Sequence, residues 1–400
     1  MESVSNLVHR TIRLKSHIPR IAVDHLGVPP AWLGYRHWGR ETVPEYVERT
    51  GRQDAVETVH PQRIHAAPLP GNVRDAAREL PDDRGWWGFS FQDVPERPND
   101  PTYLATLPDC LVAHYRLPPE HLYAGDYYVG ILNDSRRSVE LREIRFREPH
   151  AEVLRSGARV ERIPKATWVI ERVFHNYSHW LGAHLPKFLL LRERGELDHV
   201  LLPPDLPSAQ EASLRRLGFD VEAFRTYDPA AVQQVDELTV LGTDRFRPEL
   251  VGSVRDAIWE GHSAAPRRRV FISRARAQRR RLLNEDRIWE ILEPMGFERV
   301  LMEDLSLDAQ VDLMMDTRVL VGSHGAGLTN MIFCAPGTQV LEIADLSFPN
   351  PNFYAMASGL GHEYWLAQGD PVGQGHPLFL DMVGREEELR SMLKSVLDRS

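Results

Sequence analysis

The sequence predicts an α/β fold made of two units in which strands and helices alternate. Its 400 residues exceed what one hydrophobic core usually fills, and an apolar fraction of 42% is sufficient for two cores. After residue 167, short apolar runs alternate with helical patterns. The clearest example, over 318–343, is a strand, a glycine loop, a helix, a turn and a second strand. This alternation is typical of parallel sheets.

The first hundred residues are rich in Pro, His, Arg and Trp, show no clear pattern of elements, and are interpreted as an N-terminal arm or accessory segment. We expect Trp86, Trp87 and Phe89 to dock this arm on an apolar surface, with stacking on an acceptor sugar as the alternative. The predicted division of the chain is an arm at 1–102, a first Rossmann-like unit with a small β-rich layer at 103–262, a second Rossmann-like unit at 263–376, and a final helix at 377–400.

In the first unit, the alternation over 103–146 predicts the β-rich layer. The elements that follow are predicted as strands at 167–170, 199–202 and 219–224, and helices at 177–194, 209–217 and 248–261.

The second unit begins with a strand predicted at 270–273. Asn284 is expected to cap the next helix, and Gly296 to end it. A strand at 300–302 and a helix at 306–315 then lead to the glycine loop. The helix over 385–398 carries apolar residues at helical spacing and therefore must pack on another element.

The glycine loop follows the apolar run 319–321 and contains Gly322, Gly325 and Gly327, with His324 inside it. Residues 328–333 are expected to open a helix. Such a loop exposes backbone N–H groups at the positive end of a helix and suits phosphate binding. The spacing alone is equally compatible with a tight turn between strand and helix.

Composition excludes several classes of protein. The net charge of −9 disfavours a nucleic-acid-binding protein. Cys110 and Cys334 match no zinc or redox spacing, and Cys334 reads as a small buried apolar side chain. The sequence has neither a signal-peptide core nor an apolar run long enough for a membrane span, so we expect a cytoplasmic protein without a transmembrane segment.

Three blocks together resemble glycosyltransferase family 61, of the capsular polysaccharide biosynthesis (DUF563-like) type. The first block is 175–181, His-Asn-Tyr-Ser-His-Trp-Leu, followed by Leu185-Pro186. The second is 271–274, Phe-Ile-Ser-Arg, with Asn284-Glu285 downstream. The third is 322–330, Gly-Ser-His-Gly-Ala-Gly-Leu-Thr-Asn, with Pro336-Gly337 and Glu342-Ile343. The order and spacing match the family over about 105–370.

The resemblance implies a GT-B-like architecture, with two Rossmann-like domains facing each other across a cleft. In such an architecture we expect the final helix to cross back and pack on the first domain. The resemblance also implies transfer of a sugar from a nucleotide-sugar donor to a polysaccharide or other glycoconjugate, with inversion at the anomeric carbon. We find no Asp-x-Asp motif to hold a metal, so we expect a metal-independent enzyme without a cofactor, in which backbone amides and an arginine neutralise the diphosphate. The sequence does not indicate an oligomeric state.

On the donor side, Arg274 follows a strand directly and is expected to bind the diphosphate. Arginines 276, 279, 280 and 281 supplement it or form a solvated surface. His324 is expected to donate to a phosphate or sugar oxygen, or to order the loop. Glu342 either accepts from ribose or sugar hydroxyls or forms a salt bridge. The remaining predicted donor-binding residues are Gly325, Ala326, Gly327, Leu328 and Asn330, of which Asn330 is expected mainly to hold the loop to its helix.

On the acceptor side, His179 is the first candidate for the general base that a single displacement needs. The position four residues later, commonly acidic in the family, is Ala183 here. His184 would point about 100° away on a helix and cannot replace that acid.

Two other functions remain open at this point. Pyruvyl transfer onto a polysaccharide would also use phosphate-binding glycines and arginines. A non-catalytic nucleotide- or glycan-binding protein would explain the missing acid at Ala183. Binding of a nucleoside diphosphate favours glycosyl transfer over the first alternative, and turnover that depends on His179 excludes the second.

Overall fold

Two sheets organise the chain in the computed structural model, which describes residues 17–66, 68, 80–117, 127–263 and 265–399. The side chain of Trp86 lies outside the described part. In chain order the strands are β1 Arg40–Thr42, β2 Val56–His60, β3 Arg63–Ile64, β4 Pro98–Asn99, β5 Thr102–Arg116, β6 Tyr127–Leu132, β7 Ser138–Glu140, β8 Val160–Trp168, β9 Leu201–Leu202, β10 Arg225–Thr226, β11 Val232–Gly242, β12 Arg268–Ile272, β13 Glu298–Val300, β14 Thr317–Ser323, β15 Gln339–Ala344, β16 Glu363–Val372 and β17 Asp381–Gly384.

The longer helices begin with α1 at Val43–Thr50, which Thr42 and Glu45 open with a capping box. Helix α3 is α-helical over Tyr177–His179, π-helical over Trp180–His184 and α-helical again over Leu185–Arg194. The other helices are α2 Glu148–Arg155, α4 Ser208–Arg216, α5 Pro248–Trp259, α6 Glu285–Leu292, α7 Leu307–Met315, α8 Asn352–Leu360 and α9 Glu386–Asp398.

The first sheet differs from the Rossmann-like prediction. Its strand order is β1-β7-β6-β5-β11-β8, and β2 also pairs with β5. Strand β5 runs antiparallel to each of its neighbours β2, β6 and β11, and β8 lies parallel to β11. The segment before residue 103 supplies β1 and β2, so it is part of this sheet rather than a separate arm.

The second sheet has the predicted parallel character. Its order is β13-β12-β14-β15-β16-β17, with every pair parallel except β16 and β17. The strand that follows β12 in sequence, β13, therefore lies on one side of β12, and the next strand, β14, lies on its other side. That reversal is the topological switch point where ligands of open α/β sheets bind, at the carboxyl ends of the strands.

Three local predictions were wrong. Residues 219–224 form no strand, because Phe219 and Phe224 turn inward onto Phe188, with ring centroids 6.0 and 5.7 Å away. Asn284 makes no side-chain cap on α6 and instead exchanges two hydrogen bonds with the backbone of Gly384. The final helix α9 packs on the second sheet, in a cluster with Val319 and other residues of that sheet, rather than on the first unit.

The two halves share one large hydrophobic cluster. It joins Phe174 and Trp180 of the first half to Leu328 and Phe353 of the second. The helix α5 lies at this junction, where the indole N–H of Trp259 donates to the carbonyl of Phe333 at 2.8 Å. Burial of this shared apolar surface fixes the two sheets relative to each other. The overall class is α/β, as predicted.

Candidate functional site

A cleft of about 380 Å³ lies between the two halves, within the range of small-molecule sites. The first half contributes His175, Asn176, Ser178, His179 and Arg245 to its walls. The second half contributes the glycine loop and the arginine loop that follows β12. The lining residues from this half are Arg279, Arg280, His324, Gly325, Ala326, Asn350, Asn352, Phe353, Leu378 and Phe379.

The arginine loop and the glycine loop meet at the switch point, because they follow the neighbouring parallel strands β12 and β14. Arg274 holds them together. Its Nε and Nη2 donate to the carbonyls of Arg280 and Arg279 at 3.1 and 2.8 Å, and its backbone N–H donates to Glu285. A Cβ on Gly325 would lie 2.0 Å from Nη1 of Arg274, so only glycine leaves room for this guanidinium.

Arg274 therefore positions the arginine loop and is not itself among the residues that line the cleft. Burial lowers the pKa of its guanidinium from the usual value, and two of its nitrogens serve backbone carbonyls. Those bonds place Arg279 and Arg280 on the cleft wall, where Arg279 lies 4.7 Å above the ring of Phe379. The outer arginines, Arg276 and Arg281, instead form exposed ion pairs with aspartates.

The glycine loop opens a 3₁₀-helix, Ala326–Phe333, rather than an α-helix. The backbone N–H groups of His324 and Leu328 donate to the carbonyls of Ile343 and Gly325. Between them, the N–H groups of Gly325, Ala326 and Gly327 have no backbone acceptor among the described residues. This row of amides can donate to an oxyanion without help from a long helix dipole. Leu328 packs under the loop against Gly322 instead of facing a ligand.

The ring of His324 is held in place by the carboxylate of Glu342. Its Nδ1 pairs with one oxygen of Glu342, and the hydroxyl of Tyr364 donates to the other oxygen. The amide of Asn350 lies 3.2 Å from Nε2 of His324. Burial and the charge of Glu342 raise the pKa of Tyr364 well above its usual value, so its hydroxyl remains a donor. Glu342 is fully buried and both of its oxygens have partners inside the protein, which favours the alternative of an internal pairing over contact with ribose or sugar hydroxyls.

Asn330 has structural partners, but they lie on helices α3 and α7 rather than in the glycine loop that it was predicted to hold. It is fully buried, its Oδ1 accepts from the hydroxyl of Tyr177 at 2.6 Å, and its Nδ2 donates to Gln310 at 3.0 Å. Because Tyr177 belongs to α3 and Asn330 to the glycine-loop helix, this bond fixes the predicted catalytic helix against the predicted donor loop.

His179 faces the cleft from the last turn of α3 before its π-helical segment, a feature often found at functional sites. An arginine, not a carboxylate, accompanies it. Nη1 of Arg245 lies 3.3 Å from Nδ1 and 3.4 Å from Nε2 of the ring. Burial and the positive charge of Arg245 lower the pKa of His179 well below its usual value, so the ring is neutral at pH 7.

His184 does not replace the acid that is absent at Ala183. Its Nδ1 lies 3.2 Å from the carbonyl of His179, and its Nε2 accepts from the backbone N–H of Glu171. The ring thus points into the protein, as its place on the helix predicts. Glu171 is itself paired with the buried Lys187.

Sequence reasoning missed Arg245 and Asn350. Arg245 carried a usable signal, because it follows the buried strand β11 just as Arg274 follows β12. Asn350 lies in a loop without a pattern, and its place beside His324 depends on how the chain returns after β15. Trp87 lies on the cleft wall 5.6 Å from the ring of Phe348, where the sequence favoured a docking role and left sugar stacking as the alternative.

The fold and the cleft fit an α/β glycosyltransferase. Residues 177–341 match the model of the family Glycosyltransferase 61, which confirms the resemblance drawn from the three sequence blocks. This segment contains His179, Arg274 and the glycine loop. Over this segment, the chain is similar to that family.

Curated relatives are also glycosyltransferases. A segment of 97 residues is 32% identical to the beta-1,2-xylosyltransferase of Arabidopsis thaliana, covering 21% of this chain and 18% of that protein. A segment of 119 residues is 32% identical to the EGF domain-specific O-linked N-acetylglucosamine transferase of Drosophila melanogaster, covering 27% and 22%. The matches thus span about a fifth of each relative's length. Among the described residues, no helix has the length and apolar character needed to cross a membrane.

Proposed function

We propose that this chain is a glycosyltransferase that moves a sugar from a nucleotide-sugar donor to a glycan or glycoconjugate acceptor. The observation that carries the proposal is the meeting of the glycine and arginine loops at the switch point, with His179 on the facing wall of the same cleft. The transferase relatives support the same class of reaction.

The donor diphosphate is proposed to lie on the glycine loop. The amides of Gly325, Ala326 and Gly327 donate to its oxygens, and the guanidinium groups of Arg279 and Arg280 supply positive charge from the neighbouring loop. Arg274 keeps the two loops in register. Because amides and guanidinium groups neutralise the leaving group in this arrangement, the reaction requires no metal ion.

The transfer is proposed to proceed by a single displacement. The acceptor hydroxyl attacks the anomeric carbon from the side opposite the diphosphate, so the new C–O bond forms as the bond to the diphosphate breaks, and the configuration inverts. His179, whose lowered pKa keeps its lone pair free, takes the hydroxyl proton. His324 acts on the leaving group, since Glu342 at Nδ1 stabilises positive charge on the ring while Nε2 donates to a phosphate oxygen.

Calorimetric titration with UDP, GDP and CMP, each with Mg²⁺ and with EDTA, tests the donor site. We expect saturable binding of one nucleotide under both conditions, and at least tenfold weaker binding by Arg274→Ala because the two loops lose their link. Arg287→Ala, an exposed arginine on α6, is the control and should bind normally. If no nucleotide binds, the donor site is wrong, and binding of phosphoenolpyruvate alone would indicate pyruvyl transfer instead.

A non-catalytic binding role is the second candidate. It is favoured by one observation, that His179 has no carboxylate partner among the described residues. Turnover by the wild type that is lost in His179→Ala would exclude this candidate. Tight donor binding without turnover across acceptors would establish it.

A further inference from the structure

Arg245 is a buried cation without an ionic partner in the described part of the chain. The residue is 8% exposed, no carboxylate oxygen lies within 4 Å of its guanidinium, and its Nε has no hydrogen-bond acceptor. Its contacts are the ring of Phe246 at 4.4 Å and the neutral imidazole of His179. Burial lowers the pKa of Arg245 to about 9, yet it is still charged at neutral pH.

The acids near Arg245 are already paired elsewhere. Asp244 pairs with Arg97, Glu143 with Arg172, and Glu171 with Lys187. Each of these three carboxylates therefore has its own cation, and Arg245 retains its charge. A buried charge without a partner costs stability, since neither water nor a counter-ion compensates for its desolvation.

The packing around Arg245 leaves space for its side chain at Gly182. A Cβ on Gly182 would lie 3.3 Å from Cγ of Arg245 and 3.2 Å from Cε of Met356, so glycine in the π-helical segment makes room for the side chain. Arg245 also lines the cleft beside His179, opposite the glycine loop. The charge is therefore positioned next to bound substrate, and a planar guanidinium binds an oxyanion bidentately.

We propose that Arg245 binds an anionic group of the sugar substrates, a carboxylate or a phosphate, in the acceptor half of the cleft. This inference rests on the proposed function, and it adds that the enzyme uses Arg245 to recognise an anionic group of its substrates. The two sources of such a group are a carboxylated sugar and the donor phosphate.

A bound oxyanion would also act on His179. The positively charged groups that hold this ring in its neutral form are Arg245, Arg142 and Arg172, together with His184 if protonated. An anion on Arg245 offsets the nearest of these charges. Substrate binding would thus make His179 a stronger base at the moment its proton transfer is needed.

The experiment compares wild type with Arg245→Met by titration with inorganic phosphate, and with methyl β-D-glucuronide against the neutral methyl β-D-glucoside. We expect the wild type to bind at least one of the two anions, with glucuronide preferred over glucoside by about tenfold if the source is a carboxylated sugar. Arg245→Met should reduce this binding or preference to less than threefold. The exposed neighbour Arg142→Met is the control for a general field effect and should retain most of the binding.

Folding provides a second measurement that needs no substrate. Removal of an unpaired buried charge should raise the melting temperature of ligand-free Arg245→Met by a few degrees. In the wild type, added phosphate should raise the pKa of His179 toward 6.5, as measured by NMR from the pH dependence of its ring resonances. In Arg245→Met, phosphate should leave this pKa unchanged. Anion binding that is absent in the wild type or unchanged in Arg245→Met overturns the proposal.

Titration with UDP distinguishes the two sources of the anion, and it distinguishes failure of the Arg245 proposal from failure of the donor site. Loss of UDP binding in Arg245→Met together with loss of phosphate binding identifies the donor phosphate as the anion. Normal UDP binding with loss of the glucuronide preference identifies a carboxylated sugar. If the wild type binds the anions but no nucleotide, the proposed donor site fails while the Arg245 site stands.

Discussion

The two walls of the cleft each present a histidine, but they hold it in opposite ways. On the second half, Glu342 accepts from His324 and is fixed in turn by Tyr364, so every charged group in this set has a partner. On the first half, the cation that lies against His179 has no counter-ion among the described residues. The difference indicates that one wall is complete before substrate binds, whereas the other is completed by substrate.

The largest effect is expected from Glu342→Gln. The substitution keeps the shape but removes the carboxylate charge beside Nδ1 of His324, which orients the ring toward the cleft, so we expect turnover to fall by about 10²-fold or more. Steady-state kinetics with the wild-type substrate pair measure it. The exposed Glu303→Gln is the control and should be neutral. Equal turnover in wild type and Glu342→Gln would show that the His324 wall does not depend on its carboxylate.

A smaller effect is expected from Gly325→Ala, which adds a methyl group into the space of the Arg274 guanidinium. Because the arginine must move and the exposed amides shift with it, nucleotide affinity should fall by about tenfold. Calorimetry with the preferred nucleotide measures the change. Gly252→Ala on α5, where an added Cβ would lie 3.7 Å from the flexible end of Arg255, should bind like wild type. Unchanged affinity of Gly325→Ala would separate Arg274 from the donor site.

Tyr364→Phe tests the buried support of the second wall by stability. It leaves one oxygen of Glu342 buried without its donor, so the free energy of unfolding should fall by about 1–3 kcal/mol. Urea denaturation measures it. Tyr177→Phe, which removes the bond to the neutral Asn330, is the matched comparison and should cost less. A larger loss from Tyr177→Phe would contradict the difference between the charged and neutral networks.

The smallest effect concerns the titration of His179. Its pKa in the folded protein lies below the 6.5 of an unfolded chain, so the unfolded state binds the proton first as the pH falls. Stability is therefore lost below pH 6.5, by up to about 1.4 kcal/mol per pH unit from this group. Denaturation at pH 7 and pH 5.5 in wild type and His179→Gln measures the contribution. A pH dependence that is identical in both proteins would contradict the lowered pKa.

The sequence was informative where the chemistry is local. The glycine loop, Arg274 and the strands around them follow from short apolar runs and turn residues, and the second sheet formed as predicted. The first sheet was not predictable in the same way, because β5 pairs with β11, whose residues lie up to 139 positions later in the chain (Gly242 opposite Tyr103), and no local pattern predicts that pairing. The final helix failed for a similar reason, since its apolar face fits either sheet.

Within the site, the positions were predicted better than their roles. His179, His324, Gly325 and Ala326 line one cleft, as expected. For Glu342 the sequence left a ligand contact and an internal pairing open, because its partner Tyr364 comes from a strand that the sequence does not mark as its neighbour. Arg245 carried a sequence signal through its place after β11, but its lack of an ionic partner among the described residues is visible only in the structure.

Hydrogen exchange with the preferred nucleotide bound is the most direct test of a donor site on the glycine loop. We expect slower exchange of the amides of Gly325, Ala326 and Gly327, because a bound diphosphate would accept hydrogen bonds from them, whereas no described backbone carbonyl does. We expect little change in the exchange rates along β17 and α9, whose residues do not line the cleft. Exchange that slows elsewhere while these three amides remain unchanged would contradict the donor site and the mechanism built on it.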